Sequence, residues 1–519
     1  GLLFVLLSLL SGTSSQPCHT QFNQGVQSYN AGLTEAAIAS FTQAAECFNA
    51  RGSFSETAQA CKLVGQCYRK LGQTEQALVF FKQALDYFTS GQLADPAEEA
   101  DIRSSMAWTH YSAGAFEPAI REFEAAIAIC RKHADPTGEA ECEKGLGTAK
   151  QAAEDYEEAH AHFNRAAQIY VNLRQPTDAT ECLYHAGTSQ YQLGQYRAAI
   201  AAFQRALSEG ATARIAAHTQ LQLGNCYLAL ERFPEAIAVF EAARQLLLQV
   251  DDAAAAIACT HNMAQSHLRL EQWQLAIGEL QEVTNHYRDN GNFEDLQPAL
   301  TSLGHANFNS GKYAEACGHY REAASVAQRF GWRPAEARAL RNLGDALVAS
   351  EDLPEAVEQL GAAASLFALL GETKEAFDTY AKVGEVNAAA GRSEESIAAY
   401  REALNLTEGV DSLAVAGNSV RVKLAEALRK AGRSDEVLRI FELAPDTQPA
   451  GLDAPDEVTA QALFGRGQAN LDLDRNVEAA ALFEAAAHGY LLSGQKANAG
   501  SAHYNAGLAH KRSDNPAGS

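Results

Sequence analysis

The sequence predicts an all-α protein, an α-solenoid of about 12 tandem helix-turn-helix units, on three observations. A small residue recurs at a near-constant interval along almost the whole chain of 519 residues. A small–large–small stripe with helical spacing follows each recurrence. Glycine stands where helices would stop, and acidic residues or proline stand where they would start. The recurring residue is Gly25, Gly65, Ala107, Gly147, Gly187, Gly224, Ala264, Gly304, Gly344, Gly384, Ala425, Gly467 and Gly507, at intervals of 37 to 42 and mostly 40. A period of that length marks a stacked array rather than a set of independent domains.

Each unit divides into two helices. The first carries the small residue, which lets two helix axes come close. It often stops at a glycine suited to a left-handed cap: Gly32, Gly72, Gly114, Gly194, Gly311, Gly391 and Gly432. The second opens on pairs such as Thr34–Glu35 or on Phe233-Pro-Glu235. Proline and glutamate suit a first turn, where backbone N–H groups lack partners and the helix dipole is positive. Twelve, sixteen and nineteen positions past the small residue come Ala37, Phe41 and Ala44 in the first unit. The series runs through Ala236, Phe240 and Ala243 to Ala479, Phe483 and Ala486 in the twelfth. Spacing i, i+4, i+7 sets the three on one stripe that interlocks with a neighbouring helix.

The array changes at few places. Residues 1–21 open on an apolar run and then small polar residues, the outline of a signal peptide or of an extra N-terminal helix. Residues 22–443 hold units 1–11, and the proline-bearing stretch 444–457 is a loop. Residues 458–519 hold unit 12 and the first helix of a thirteenth. Gly91-Gln-Leu-Ala-Asp-Pro96 is a shorter insertion. Residues 511–519 cannot supply a polar capping helix, so a longer parent chain is expected.

Forty-one basic against 64 acidic residues give a net charge of −23, which argues against nucleic acid and anionic membranes as partners. Beyond residue 21 no apolar run approaches the ~20 residues of a membrane span, so membrane association is expected only through a partner. Ten cysteines without a CxxC give no zinc ribbon or redox motif. Cys61, Cys142, Cys182 and Cys259 recur near one place in the repeat, as do Cys67 and Cys226, which reads as buried packing thiols in a reducing compartment. That reading favours a cytoplasmic protein, and the signal-like start keeps a secreted or lumenal one open. His160 and His162 sit two apart on a helix and so point apart, unlike a metal-binding i, i+4 pair. No phosphate loop or catalytic constellation occurs, so neither an enzyme nor a cofactor, metal or small-molecule substrate is expected.

Segments such as Leu63-Val-Gly-Gln-Cys-Tyr-Arg-Lys-Leu-Gly-Gln-Thr-Glu-Gln-Ala-Leu-Val-Phe-Phe-Lys-Gln-Ala84 and Leu223-Gly-Asn-Cys-Tyr-Leu-Ala-Leu-Glu-Arg-Phe-Pro-Glu-Ala-Ile-Ala-Val-Phe-Glu-Ala-Ala243 resemble the tetratricopeptide repeat. The forty-residue length is similar to the variant in Pins/LGN proteins and rapsyn, and the soluble NSF-attachment proteins share a looser version. No GoLoco-type segment or zinc-binding C-terminal domain accompanies the repeats. The resemblance implies a right-handed superhelix whose first helices line a concave groove for an extended or helical segment of another protein. One step past the small residue lie Gln66, Trp108, Thr188, Asn225, Gln265 and His305. Arg69, Tyr111 and Tyr191 follow three later, and Lys62, Lys144 and Arg341 lie three before the small residue. In Pins-type repeats an asparagine at the position of Asn225 binds peptide backbone. The groove is expected to run from basic and aromatic, at Lys62, Arg69, Trp108, Tyr111 and Lys144, to acidic at Asp345, Glu385 and Glu426. The functional expectation is a non-catalytic scaffold or adaptor. The alternatives are an architectural subunit of a ciliary, cytoskeletal or trafficking assembly, and a secreted repeat protein.

Overall fold

The computed structural model describes residues 16–407, 410–442 and 457–514. The signal-like residues 1–15, most of the proline-bearing loop (443–456) and residues 515–519 lie outside the described residues. The chain divides into two compact units at Ser266 and His267, within one helix.

In the first unit α1 (Gln16–Asn30) pairs with α2 (Thr34–Asn49), α3 (Phe54–Lys70) with α4 (Thr74–Thr89), and α5 (Pro96–Ser112) with α6 (Phe116–Lys132). The same order continues with α7 (Pro136–Ala152) and α8 (Tyr156–Asn172), α9 (Pro176–Gln192) and α10 (Tyr196–Ser208), and α11 (Ala213–Ala229) and α12 (Phe233–Gln249). The division falls within α13 (Ala253–Arg269). The second unit goes on through α14 (Trp273–Asp289), α15 (Phe293–Asn309), α16 (Tyr313–Phe330), α17 (Arg333–Ala349), α18 (Leu353–Leu370), α19 (Thr373–Ala389) and α20 (Ser393–Asn405). It ends with α21 (Ala414–Lys430), α22 (Ser434–Glu442), α23 (Glu457–Asp472), α24 (Asn476–Leu492) and α25 (Lys496–Asp514). Each unit is an all-α solenoid of helix pairs, and the described residues contain no strand.

The repeat stripe is the core. Among the described residues, no member of its small–large–small series is more than 3% exposed. The recurring glycine gives the aromatic member its room. A Cβ placed on Gly187 would lie 2.6 Å from the Phe203 ring, and on Gly224 2.5 Å from Phe240. Gly304 and Gly384 meet Tyr320 and Tyr400 the same way. Helix axes thus approach closely because one side carries no side chain and the other carries a ring.

All seven predicted caps adopt the left-handed conformation, with φ from 71° to 79°. At Gly72 the cap closes with N–H bonds from Gly72 to the Arg69 carbonyl and from Gln73 to the Tyr68 carbonyl. Glu154, Glu231, Glu271, Glu351 and Asp474 hold the equivalent turn with φ of 56° to 66°, without glycine to signal it in the sequence. Proline opens α5, α7 and α9, and the side chains of Asp95 and Asp135 accept the orphan N–H groups of Glu98 and Gly138.

Three expectations are corrected. Residues 16–21 belong to α1 of the first pair, with Cys18 fully buried, so the repeats begin before residue 22. Cys18 and Cys47 are joined in a disulfide, whereas the other eight cysteines are buried free thiols. One helix among the described residues, α18, is long and apolar enough to cross a membrane. Its Ala356, Leu360, Ala363 and Phe367 are nevertheless the fully buried stripe of a repeat helix.

Candidate functional site

The first helix of each pair presents a face that the stripe does not use. Four of the sequence-predicted residues come together on it in the first unit. Gln66 and Arg69 of α3 and Trp108 and Tyr111 of α5 line a concavity of about 590 Å³ with Tyr29, Lys70 and Ser112. Tyr29 stands four residues past Gly25, the place Arg69 and Tyr111 hold in their own helices, and a continuation of the predicted series by one unit would have found it. Trp108 is fixed edge-on against Tyr111 at 5.4 Å and Phe123 at 5.3 Å, and Tyr111 also meets Phe116. The Lys70 ammonium lies 5.0 Å from the centre of the Tyr29 ring, a cation–π contact. Among the described residues Arg69 has no carboxylate in ion-pair range.

The other predicted residues mostly serve the stack. Lys62 reaches Glu98 and Asp101 of α5, and Lys144 reaches Glu181 of α9 at 2.6 Å. Burial alone would lower the Lys62 pKa, but Asp101 and Glu98 hold it above the ordinary lysine value. Asn225 accepts a bond from Asn262 at 2.9 Å and donates to Gln222, so its amide is committed within the fold. Gln265 contacts His261, and Thr188 donates to the Tyr184 carbonyl. Tyr191 packs edge-on to Tyr196. His305 meets Asn342 at 3.1 Å, and Arg341 lies over the Phe367 ring at 5.6 Å.

A register rule underlies these contacts. The residue one past the small position bonds to the residue two before it in the next first helix. Asn225–Asn262, His305–Asn342, Asp345–Lys382 and Glu385–Lys423 all follow it. Asp345 and Glu385 are therefore neutralised by lysines on their own face, and Glu426 by Lys430. The expected basic-to-acidic gradient is cancelled at these positions.

A concavity of about 340 Å³ in the second unit occupies the equivalent place between α19 and α21, lined by Glu385, Ala388, Ala389, Lys423, Glu426 and Lys430 among others. Its charges are paired, and its remaining lining is alanine, serine and one ring, Tyr400. The first-unit site differs in its unpaired guanidinium and in its three rings, Tyr29, Trp108 and Tyr111.

The remaining polar clusters are structural. Glu143, almost wholly buried, receives Arg131 and His162, the latter at 2.6 Å. His160 turns instead to the Ala186 carbonyl and Gln190. Burial pushes the thiols of Cys61 up to about 11 and of Cys182 up to about 12, which keeps them protonated and unreactive.

Helix pairs of about forty residues, locked by a glycine facing an aromatic ring, define the class as a repeat solenoid. Residues 138–208, 215–289 and 295–368 match the tetratricopeptide repeat model, and residues 10–130 match that of the soluble NSF attachment protein, SNAP. The segments within residues 138–368 are tetratricopeptide repeats. No curated protein matches the chain.

Among solved structures it is similar to BtubC from P. vanneervenii, with 19% identity over 42% of this chain and 92% of that one, at a TM-score of 0.37. The signal transduction ATPase with numerous domains from Pyrococcus horikoshii, which carries a tetratricopeptide repeat sensor, gives 16% identity, 70% and 54% coverage and a TM-score of 0.43. The C-terminal part of a repeat protein from Cytophaga hutchinsonii gives 14%, 52% and 97%, and 0.41. Likeness at these levels assigns no ligand or activity to this chain.

Proposed function

We propose that this protein is a non-catalytic interaction scaffold that captures an extended segment of another protein on the first-helix face of its first unit. The observation that carries the reading is Arg69, a cation without an acidic partner in a chain of net charge −23, set beside Trp108 and Tyr111. An acidic side chain on the guanidinium and an apolar one on the rings would satisfy both. Repeat solenoids offer such faces, and tetratricopeptide-repeat proteins generally bind other proteins. The test is a photo-crosslinking residue at Tyr111, compared with one at Val79, which is exposed on a second helix. The reading requires crosslinks from position 111 that map to an acidic segment and vanish with Arg69→Glu. Equal crosslinking from both positions, indifferent to Arg69→Glu, overturns it.

The Cys18–Cys47 disulfide supports a secreted or lumenal location over a cytoplasmic one, because such bonds persist in oxidising compartments. Thiol titration of denatured native protein without reductant should then count eight thiols, and ten would return the protein to a reducing compartment.

A further inference from the structure

We infer that the Cys18–Cys47 disulfide gates the docking pocket. With the bond closed, α1 holds Tyr29 in the pocket wall, and with the bond reduced that wall is lost and the bound segment is released. The inference rests on the docking reading above and adds its regulation.

The wall is split between elements of unequal anchorage. Among the lining residues only Tyr29 comes from α1, while Gln66, Arg69 and Lys70 come from α3 and Trp108 from α5. Tyr29 also sets where the Lys70 charge sits, through the ring contact at 5.0 Å. Yet among the described residues α1 contributes only Cys18 and Gly25 to the buried set, against seven in α3, and Phe22, Val26 and Tyr29 pack on the core half-buried. A helix of 15 residues has little stability of its own, so packing on α2 and the covalent bond must keep it in place. The bond joins the first turn of α1 to the last turn of α2, across 29 residues. Cys18 is sealed against Ala44 and Phe48, and Cys47 is half-buried at the surface, so its sulfur is the one a thiolate reaches.

The chemistry is thiol–disulfide exchange with a dithiol reductant. The incoming thiolate bonds to Cys47 Sγ and Cys18 leaves as thiolate. The reductant's second thiolate then attacks the mixed disulfide, expelling Cys47 and closing the reductant into a cyclic disulfide. Two electrons and two protons pass to the protein, which ends with two thiols. Free of the bond, α1 opens locally and the docking-competent population falls. Apparent affinity falls by the same fraction.

The experiment uses the full chain and a fluorescein-labelled peptide of four glutamates flanking one tryptophan, read by fluorescence anisotropy. Reduction by dithiothreitol should weaken binding about tenfold, the loss that follows if docked α1 drops to about a tenth of the population. Reoxidation should restore it. Tyr29→Ala should bind as weakly as the reduced chain and no longer respond to reductant, which general loosening of the fold would not produce. If oxidised and reduced chains bind alike while Arg69→Glu abolishes binding, the gate is overturned and the docking reading stands. If Arg69→Glu binds like the parent chain, or the oxidised chain ignores the peptide, both fall.

Discussion

At the turn after the first helix, Glu154, Glu231, Glu271, Glu351 and Asp474 occupy a left-handed backbone that glycine fills in the other pairs. A side chain there costs about 1–2 kcal/mol because Cβ crowds the following carbonyl oxygen. Glu154→Gly should therefore raise stability by about 1 kcal/mol in urea unfolding, and Gly72→Ala should lower it by a similar amount. Loss of stability in Glu154→Gly would contradict the assigned turn. Histidines supply the pH dependence. Burial holds the imidazoles of His110, His185, His305 and His319 below the usual histidine range. Once pH drops below about 6.5 the unfolded chain takes up protons that the native chain refuses. Their contribution is intact above that pH and is lost as pH falls through it. Melting temperature should decline between about pH 7 and pH 5.5, and His185→Gln should make the decline shallower. His185 is the informative choice because it stacks on the core ring of Phe163.

The helix pair is the element on which the fold rests, and its lock is glycine against a ring. Gly224→Ala should destabilise by about 1–3 kcal/mol, because the new methyl falls inside the contact distance of Phe240. Gly278, in the middle of α14, faces open space, and Gly278→Ala should stabilise by about 0.5–1 kcal/mol. Equal effects of the two changes, followed by circular dichroism on heating, would refute the lock. The lock was legible in the sequence, since the small residue and the stripe lie within one repeat and recur a dozen times, with a cap glycine in seven of them. The register between neighbouring first helices was not. Asn225 meets Asn262, and Glu385 meets Lys423, only once two units are stacked, and a single repeat carries no sign of a partner 37 or 38 residues away. For the same reason Lys62 and Lys144 read as lining charges although the stack consumes them. Arg69, Trp108 and Tyr111 were legible as a group because the repeat offsets place each on the face of its own helix that the buried stripe does not use. The predicted series of face residues begins at the second repeat, although Gly25 marks the first, and so leaves out Tyr29. The Cys18–Cys47 pairing was not legible because it joins two helices 29 residues apart with no repeat counterpart.

On the scale of the whole molecule the acidic balance acquires a local meaning. Most cations of the first-helix face that the repeat places opposite acids are neutralised there, and such exposed pairs add little stability. Their effect is to leave Arg69, with Lys70 beside it, as positive charge without a carboxylate next to a wall of rings. Charge reversal at Arg69 is the most direct test of the account. Isothermal titration of the oxidised chain should show the glutamate–tryptophan peptide binding, with Arg69→Glu losing that affinity by about tenfold or more. The same variant should gain affinity for a lysine–tryptophan peptide that the parent chain refuses. If Arg69→Glu retains full affinity for the acidic peptide while its fold is intact by circular dichroism, the first-unit pocket is not the docking site.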